Sequence, residues 1–439
     1  MPTAANTLDH HWMPFTANRD FKTEPRIINE ARGIWLIDHR GQKILDGSSA
    51  LFCTAAGHGR EEIAAAVHEQ LITLDYSTSF QLGHPGSFEL ARALADLLPD
   101  GLNRIFFANS GSEAIDSAMK IAMAYHQARG DKERSRFVSR ERAYHGVNIG
   151  GLSLSGLPNN RKAFPGVVPG VLFLRHTRLE QNRFSRGQPE NGAELAEDLQ
   201  FFVDEHGASA IAACVIEPVA GSTGCLVPPI GYLERIREIC DQNGILLIFD
   251  EVICGFGRLG APFSMDVFGV RPDMVTMAKA LTNAAIPMGA VAVREEIYET
   301  ILETAPEGTI ELFHGYTFSA HPAACAAALA TLKIYQQEGL FERAAALSAP
   351  FLDAVYSLRE APFVSDIRGI GLIAGIDIEP GEWPGKRGTQ LQKQLFHAGL
   401  HIKFTGDSGV IAPPLVIEEN EIGQIVSILA STLEDFARR

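Results

Sequence analysis

The sequence contains no hydrophobic run long enough to span a bilayer, and the stretch from Met1 to Glu30 has no apolar core. The sequence therefore predicts neither a secretory signal nor a membrane-spanning helix. Basic residues are in the minority, because 38 Lys and Arg stand against 53 Asp and Glu, for a formal net charge of -15. A surface of that sign repels nucleic acid and anionic lipid. We expect no nucleic-acid partner, no membrane partner and a cytoplasmic location.

Cysteine is also scarce, with 6 residues among 439, and no two of them have the spacing of a zinc site or a C-x-x-C motif. We therefore predict no metal site and expect mostly buried free thiols in a reducing compartment. Charged residues make up 21% of the chain, which is typical of a globular protein rather than a disordered one. The length is too great for one simple core, so we expect one large and one smaller domain.

Short apolar runs alternate with helical patterns through the middle of the chain. A helix is predicted at Gly231–Gln242, between two of these runs, and an alanine-rich helix is predicted at Pro322–Thr331. The alternation predicts an α/β fold with a mainly parallel sheet that helices cover on both faces. The runs that predict buried strands are Arg104–Phe107, Ile211–Ile216, Ile245–Phe249 and Met274–Met277.

Three segments are expected from these patterns. Residues 1–60 form an N-terminal segment that packs with the smaller domain or with a partner subunit. Residues 61–330 form the large domain, and residues 331–439 form the smaller one, in which helices mix with short strands.

Three predicted strands each run into an ionisable residue, namely Glu217, Asp250 and Lys279. The intervals of 33 and 29 residues are each about one βαβ unit. Ligands bind beyond the carboxyl ends of the strands in open parallel sheets, so the three groups could meet one ligand there. The alternative is a set of strand-terminal charges that point to solvent.

A lysine and an aspartate at such a position suit one kind of chemistry. A lysine that apolar neighbours desolvate can lose its proton and attack a carbonyl to give a Schiff base. An aspartate beside a pyridine nitrogen keeps that nitrogen protonated, so that the ring accepts electrons. Lys279 and Asp250 therefore favour catalysis with pyridoxal 5'-phosphate (PLP). An aldolase that uses a Schiff-base lysine without a cofactor is the alternative from residue chemistry alone.

A phosphate site would separate these two readings. Ser110, Gly111 and Ser112 follow a predicted strand and precede a helical pattern. Small residues at a helix N-terminus leave backbone N–H groups free for an anion, and the helix dipole favours one. The alternative is an ordinary capping box between Ser110 and Glu113.

Two further stretches could contact a cofactor. Tyr144 and His145 precede a glycine, and an aromatic ring there could stack on a cofactor ring, or it could be a packing tyrosine. The stretch Phe313–Ser319, which includes Tyr316 and Thr317, offers hydroxyl groups, or it could be a plain loop.

These residues together resemble the class III aminotransferases of PLP fold type I over essentially the whole chain. The stretch from Leu246 through Arg258 to Lys279 is similar to the class signature. Within the class, the opening His11–Thr16 and the later Asp46–Ser48 resemble the omega-amino acid:pyruvate (β-alanine:pyruvate) and amine transaminases. The resemblance implies fold type I, with a mainly parallel seven-stranded sheet in the large domain and a smaller α+β C-terminal domain.

The resemblance also implies a role for individual residues. Lys279 would carry PLP and move the substrate proton, and Asp250 would pair with the pyridinium. Gly111 and Ser112 would donate to the phosphate. Further cofactor contacts are expected from Ser110, Tyr144 on one ring face, His145, Glu217 near the ring hydroxyl, Val252 on the other ring face, Tyr316, and Thr317, which would reach the phosphate of a neighbouring subunit. The last role implies a homodimer at least, with a homotetramer left open.

The implied reaction has two halves with ping-pong kinetics. An omega-amino acid or amine gives its nitrogen to the cofactor, and pyruvate or a similar keto acid then takes it. The alternatives are a class III relative with isomerase activity, such as an aminomutase or racemase, and a PLP-binding protein without turnover.

Two positions depart from many relatives and concern the substrate. Lys403 stands where many relatives have an arginine that grips the substrate carboxylate, and a lysine lacks the bidentate fork. Lys403 either binds the carboxylate differently or points to solvent. Phe52 stands where close relatives often have tryptophan, so the hypothesis is a somewhat roomier pocket.

Overall fold

A computed structural model describes residues 8–165 and 167–438. The first seven residues of the expected N-terminal segment lie outside this part. Short 3-10 turns occur at Glu180–Asn182, Ala193–Ala196, Ala208–Ala210, Lys279–Thr282 and Ser357–Glu360.

The strands are β1 (Ile28–Arg32), β2 (Trp35–Asp38), β3 (Lys43–Asp46), β4 (Arg104–Ala108), β5 (Arg136–Arg140), β6 (Leu172–Leu174), β7 (Ile211–Ile216), β8 (Leu246–Asp250), β9 (Met274–Met277), β10 (Gly289–Val293), β11 (Val364–Ile370), β12 (Ile373–Ile378), β13 (Leu400–His401), β14 (Lys403–Thr405) and β15 (Ser408–Ile411).

The helices are α1 (Asn18–Thr23), α2 (Ser49–Phe52), α3 (Glu61–Thr73), α4 (Pro85–Ala95), α5 (Gly111–Ala128), α6 (Ile149–Ser153), α7 (Pro158–Arg161), α8 (Glu197–His206), α9 (Tyr232–Asn243), α10 (Ser264–Phe268), α11 (Glu295–Thr304), α12 (Pro322–Gln337), α13 (Leu340–Tyr356), α14 (Lys386–His397) and α15 (Glu419–Ala437).

A seven-stranded sheet of order β4-β10-β9-β8-β7-β5-β6 forms the centre of the structure. Only β10 runs antiparallel to its neighbours β4 and β9, while β9 through β6 pair in parallel. Residues of β7 divide between two hydrophobic clusters, with Ile216 in the cluster of α9 and Val215 in the cluster of α5. Both faces are therefore covered, which explains the continuous apolar strands. The prediction of a mainly parallel seven-stranded sheet is confirmed.

The structure also contains two four-stranded sheets, one of which combines strands from both ends of the chain. The order β11-β12-β15-β14 is antiparallel throughout, and helices α13, α14 and α15 follow or flank it in sequence. The second sheet has the order β1-β2-β3-β13, in which β13 pairs in parallel with β3. The first strands of the chain therefore pack with its C-terminal part. The division at residues 60 and 330 stays a prediction.

The predicted helices begin close to where the structure has them. Helix α9 begins at Tyr232, because Gly231 before it has a left-handed backbone with φ +83°. Helix α12 begins at Pro322, whose missing N–H costs nothing at that position, and it continues to Gln337, six residues past the predicted end. Its alanine face packs against α3 and α4, so tertiary contact extends it.

The described part of the chain has no helix that is both long and apolar enough to cross a membrane. Within the same residues, no group of three His, Cys, Asp or Glu side chains is arranged to hold a metal ion. All six cysteines are free, and five of them are buried.

Candidate active site

The carboxyl ends of β7, β8 and β9 bring Glu217, Asp250 and Lys279 to one edge of the central sheet. All three line a single cleft at that edge. The strand order makes these three strands neighbours, and parallel strands end at the same edge. The other residues that line the cleft are Gly111, Ser112, Tyr144, His145, Gly146, Val252, Ile253 and Ala278.

Lys279 lies two residues after the end of β9, with a backbone φ of +50°. A non-glycine residue in that region is strained, and such strain is concentrated at functional sites. Burial lowers the pKa of the Lys279 amine, while the nearby groups of Cys53, Asp250 and Glu217 act in the opposite direction. The net direction favours the neutral amine, which is the nucleophilic form.

Asp250 is held firmly at the end of β8, with only 6% of its surface exposed. Its Oδ2 lies 2.8 Å from Nδ1 of His145. Its Oδ1 accepts hydrogen bonds from the backbone N–H of Val252 at 3.1 Å and from the hydroxyl of Thr276 at 3.3 Å. The carboxylate is therefore oriented, and it borders the cleft.

Glu217 lines the same cleft as Asp250 and His145, and it is buried. Its Oε1 accepts a hydrogen bond from the backbone N–H of Tyr144 at 2.9 Å, and its backbone carbonyl accepts one from Arg140 at 2.8 Å. Burial raises the pKa of the Glu217 carboxyl, and nearby His145 partly offsets that effect. The hydrogen bond also fixes the chain at Tyr144, whose ring borders the cleft.

The N-terminus of the long helix α5 forms the opposite side of the cleft. A Cβ added at Gly111 would lie 3.1 Å from both methyl groups of Val252, so a side chain there would crowd the cleft. Gly146, with φ +103°, packs so closely on Ser112 that an added Cβ would lie 2.4 Å from its hydroxyl. Small residues at these positions thus leave room for an anion beside free N–H groups.

Ser110 lies just outside the cleft lining and caps α5, because its hydroxyl accepts the N–H of Glu113 at 3.2 Å. The Glu113 carboxylate reaches back to the N–H of Asn109 rather than to that of Ser110. The capping alternative therefore describes Ser110, while Gly111 and Ser112 face the cleft.

Tyr316 and Thr317 lie outside the lining of their own chain's cleft. The Tyr316 hydroxyl donates to the carbonyl of Glu113 at 3.2 Å, on the helix α5 side. The carbonyl of Thr317 accepts a hydrogen bond from the Tyr76 hydroxyl at 2.8 Å. The Tyr316 hydroxyl is therefore engaged by the helix backbone, and a contact of Tyr316 with the cofactor stays a prediction.

The two residues expected at the substrate side differ in position. The ring centroid of Phe52 lies 5.3 Å from Nζ of Lys279, so Phe52 forms a wall next to the reacting amine. Lys403 lies on β14 and is half-buried, and burial alone lowers the pKa of its ammonium group. Its backbone N–H donates to the hydroxyl of Ser48, which ties β14 to the segment that carries Phe52.

Sequence reasoning missed several residues of the site. Ile253 and Ala278 line the cleft, although each is adjacent to a predicted residue. Arg258 and His401 fix the segment around Phe52 through hydrogen bonds to Ser49 and Ala50. Nothing in the local pattern signals these two contacts, because the partners are more than 200 residues apart.

The cleft fits PLP on four observations. The oriented, buried Asp250 carboxylate suits a protonated ring nitrogen, and the open N-terminus of α5 suits a phosphate. A buried nitrogen, Nε2 of His145, has no hydrogen-bond partner among the described residues, as expected for a polar atom that a bound group approaches. Burial lowers the pKa of the Lys279 amine, which favours the neutral, nucleophilic form.

Comparison with known proteins identifies the family. The model of "Aminotransferase class-III" matches residues 16–433. An omega-aminotransferase from Caulobacter vibrioides is 51% identical over 98% of this chain and 98% of its own length. An omega-amino acid–pyruvate aminotransferase from Pseudomonas putida is 46% identical, over 97% of this chain and 96% of its own. The chain therefore belongs to the class III aminotransferases, whose cofactor is PLP.

A solved structure agrees with this assignment. The omega transaminase from Pseudomonas jessenii in complex with PMP superposes with a TM-score of 0.93 at 32% identity, covering 99% of this chain and 98% of that one. The fold and the class of cofactor predicted from the sequence are confirmed.

Proposed function

We propose that this chain is a transaminase that moves an amino group from an omega-amino acid or amine to pyruvate or a similar keto acid. The observation that carries the proposal is the convergence of Lys279, Asp250 and Glu217 in one cleft with the N-terminus of α5. The names of the relatives from Caulobacter and Pseudomonas support the substrate class. The kinetics are ping-pong, because one site serves the donor and the acceptor in turn.

The residues of the cleft divide the work of holding the cofactor. PLP, when bound, supplies a ring that withdraws electrons from the substrate carbon. Lys279 holds it through the side-chain amine and then serves as the base that removes and returns the substrate proton. Asp250, oriented by His145, keeps the ring nitrogen protonated. Glu217 would hold the ring hydroxyl, and Tyr144 and Val252, which also line the cleft, would contact the ring.

The start of α5 would hold the phosphate. The N–H groups of Gly111 and Ser112 and the hydroxyl of Ser112 would be its donors within the chain, with Ser110 shaping that turn. Because Thr317 lies outside its own cleft, we propose that its hydroxyl donates to the phosphate of a second copy. Tyr316 then acts by fixing this segment on α5 through its bond to Glu113.

The same proposal makes the protein a homodimer at least. Several aromatic residues are exposed in the single chain, among them Tyr76, which bonds to Thr317 and packs on Phe318, and exposed aromatic residues of this kind are typical of a subunit interface. We call these residues the aromatic patch: Tyr76, Phe80, Phe88, Phe313 and Phe318. Trp12 and Phe15 of the N-terminal arm are also exposed, which supports contact with a partner subunit.

The substrate lies between Lys279 and the C-terminal part of the chain. Phe52 forms one wall, and its smaller ring leaves more room than a tryptophan would. Lys403 attracts the carboxylate of the keto acid or of the omega-amino acid. Its ammonium group is half-buried, and a buried charge is stabilised by an ion of opposite sign.

We also propose a cytoplasmic location and the division into large and small domains at residue 330.

A donor panel with pyruvate as acceptor tests this function. We expect alanine to form in step with the loss of β-alanine, a diamine or an aryl alkyl amine, and only when PLP is present. An isomerase would convert an amine without consuming pyruvate, and an aldolase would need no PLP. A protein that retains the PLP absorbance but yields no alanine with any donor would contradict the proposal.

A further inference from the structure

The segment Ser49–Cys53, which we call the Phe52 turn, has a strained backbone. Ser49, Ala50 and Phe52 have φ of +47°, +57° and +62°, a region that residues with a side chain rarely adopt. Ala50 combines this φ with a ψ of -85°, which is not helical in either hand. Such strain persists only where surrounding contacts determine the conformation, and it is concentrated at functional sites. The turn carries the Phe52 ring to 5.3 Å from Nζ of Lys279.

A buried arginine from a distant part of the chain holds this turn. Arg258 is 2% exposed, and its guanidinium donates to the carbonyls of Leu372 at 3.0 Å and Pro413 at 2.6 Å. It also donates to the hydroxyl of Ser49 at 3.1 Å. Among the described residues, no carboxylate oxygen lies within 4.0 Å of it. Burial lowers its pKa to about 10, so it remains charged at neutral pH.

The contacts continue from the arginine into the turn and onward. The hydroxyl of Ser49 donates to the carbonyl of Ala412 at 2.7 Å, so Arg258, Ser49 and Ala412 form a chain of hydrogen bonds. On the other side of the turn, the N–H of Ala50 donates to Asp46 at 2.6 Å, and its carbonyl lies 3.0 Å from Nε2 of His401. The strained residues are thus fixed from several directions.

A buried charge without a carboxylate partner lowers the stability of the folded state. A polar network inside a protein offsets that loss only when each of its donors and acceptors has a hydrogen-bond partner. Here the charge links the Phe52 turn to two loops of the C-terminal part. The most direct effect of this link is on the wall next to Lys279.

We propose that Arg258 is a positioning residue for amino transfer, because it holds the Phe52 turn in its strained conformation and so fixes the Phe52 ring beside the Lys279 amine. Arg258 itself does not line the cleft and acts through Phe52. The inference rests on the proposed role of Lys279 as the reacting amine. Without Arg258 the turn relaxes, the ring moves away and water reaches the amine.

Cys53 at the end of the turn reports its conformation. Its thiol donates to the carbonyl of Leu51 at 3.1 Å within the turn, and it is half-buried, whereas the other five cysteines are buried. Alkylation of Cys53 by iodoacetamide, followed by peptide mass spectrometry, therefore measures how often the turn opens. Because Cys53 lies near Lys279, variants are compared at the same PLP occupancy.

The test compares Arg258→Met and Ser49→Ala with the wild type, in the full-length enzyme with and without PLP. We expect Cys53 to be alkylated about tenfold faster in Arg258→Met and about threefold faster in Ser49→Ala, as local opening becomes easier. The kcat of Arg258→Met should fall at least ~10-fold, since a misplaced wall next to the reacting amine lowers the rate of the chemical step.

Arg134→Met is the matched control. Arg134 donates to the backbone carbonyls of Ala208, Ile211 and Asn243, at 2.8, 2.9 and 3.0 Å, so its loss breaks a similar set of bonds away from the cleft. We expect this variant to unfold at a lower temperature but to keep the wild-type kcat and the wild-type alkylation rate of Cys53.

A double-mutant cycle with Phe52→Ala tests whether Arg258 acts through the ring. In the Phe52→Ala background, Arg258→Met should reduce kcat much less than in the wild type, and an equal reduction in both backgrounds overturns the proposal. If Arg258→Met fails to fold, unchanged kcat and unchanged Cys53 alkylation in Ser49→Ala overturn it instead. Amino transfer by Lys279→Ala would contradict the proposed function, whereas the alkylation result would still decide whether Arg258 holds the turn.

Discussion

Two sides of the cleft are built in different ways. The rim of the central sheet presents Glu217, Asp250 and Lys279 from the regular ends of neighbouring strands, where the strand order alone brings them together. The wall next to the Lys279 amine, with Phe52, is an irregular turn that hydrogen bonds from residues far along the chain hold in place. The rim supplies the chemical groups, and the wall gives the cleft its shape. Changes at the rim should therefore reduce the rate of the reaction directly, while changes at the wall should act through the position of Phe52 or through the binding of the substrate.

The largest effect is expected at the rim, from Asp250→Asn. The amide keeps the shape of the side chain but lacks the negative charge that holds the ring nitrogen protonated. We expect kcat to fall on the order of 100- to 1000-fold, as for the loss of one preorganised electrostatic contact. Steady-state kinetics with a saturating donor and pyruvate measure this.

Asp273→Asn is the control for that change. Asp273 is also buried and charged, but it pairs with Arg237 and Arg294 just before β9, at the end of the strand remote from Lys279. Its loss should lower stability and leave kcat within about twofold. A comparable loss of kcat in both variants would mean that Asp250 serves the fold rather than the reaction.

Gly111→Ala should weaken cofactor binding. The new methyl group would lie 3.1 Å from both methyl groups of Val252 and would push that side chain into the cleft. Overpacking of this size costs about 1–3 kcal/mol, so the PLP dissociation constant should rise about tenfold or more. Gly423→Ala in α15, where an added Cβ meets nothing within 4 Å, should leave PLP affinity unchanged.

At the wall, Lys403→Ala should raise the KM for pyruvate several-fold, which is about 1 kcal/mol of lost attraction for the carboxylate. The KM for an amine without a carboxylate should change much less. Lys393→Ala, a change of a surface lysine that pairs with Asp20, provides the comparison. Equal shifts in KM for pyruvate and for the plain amine would show that Lys403 does not contact the carboxylate.

The smallest effect on activity is expected from Glu251→Gln, because Glu251 follows Asp250 in the chain but is buried and does not line the cleft. Burial raises the pKa of the Glu251 carboxyl to about 8 from a usual value of 4.5, so the folded state binds its proton more tightly. This stabilisation is complete below pH 4.5 and is lost as the pH rises to about 8. The amide of glutamine stays neutral at every pH and can still accept the hydrogen bonds from Ser264.

The wild type should therefore lose unfolding free energy between pH 4.5 and about pH 8 relative to Glu251→Gln, by roughly 1.4 kcal/mol for each unit of raised pKa. Urea unfolding at several pH values measures the difference. Parallel stability curves for the two proteins would contradict the raised pKa of Glu251.

The same comparison explains what the sequence could predict. The apolar run before Asp250 and the small residues at Gly111 and Ser112 are local patterns, so they indicated a strand end and a helix start correctly. The position of Tyr316 has no such local pattern. Its hydroxyl bonds to the backbone of α5, so its place depends on how a loop folds over a helix. Arg258 could not have been found, since its partners Ser49 and Pro413 are about 200 and 150 residues away in the chain.

The most direct test of the whole account is to identify the residue that holds PLP. Borohydride reduction of the purified enzyme followed by peptide mapping should find the cofactor on the peptide that contains Lys279, and Lys279→Ala should lose amino transfer. A label on a different lysine, or undiminished transfer by the alanine variant, would contradict the account.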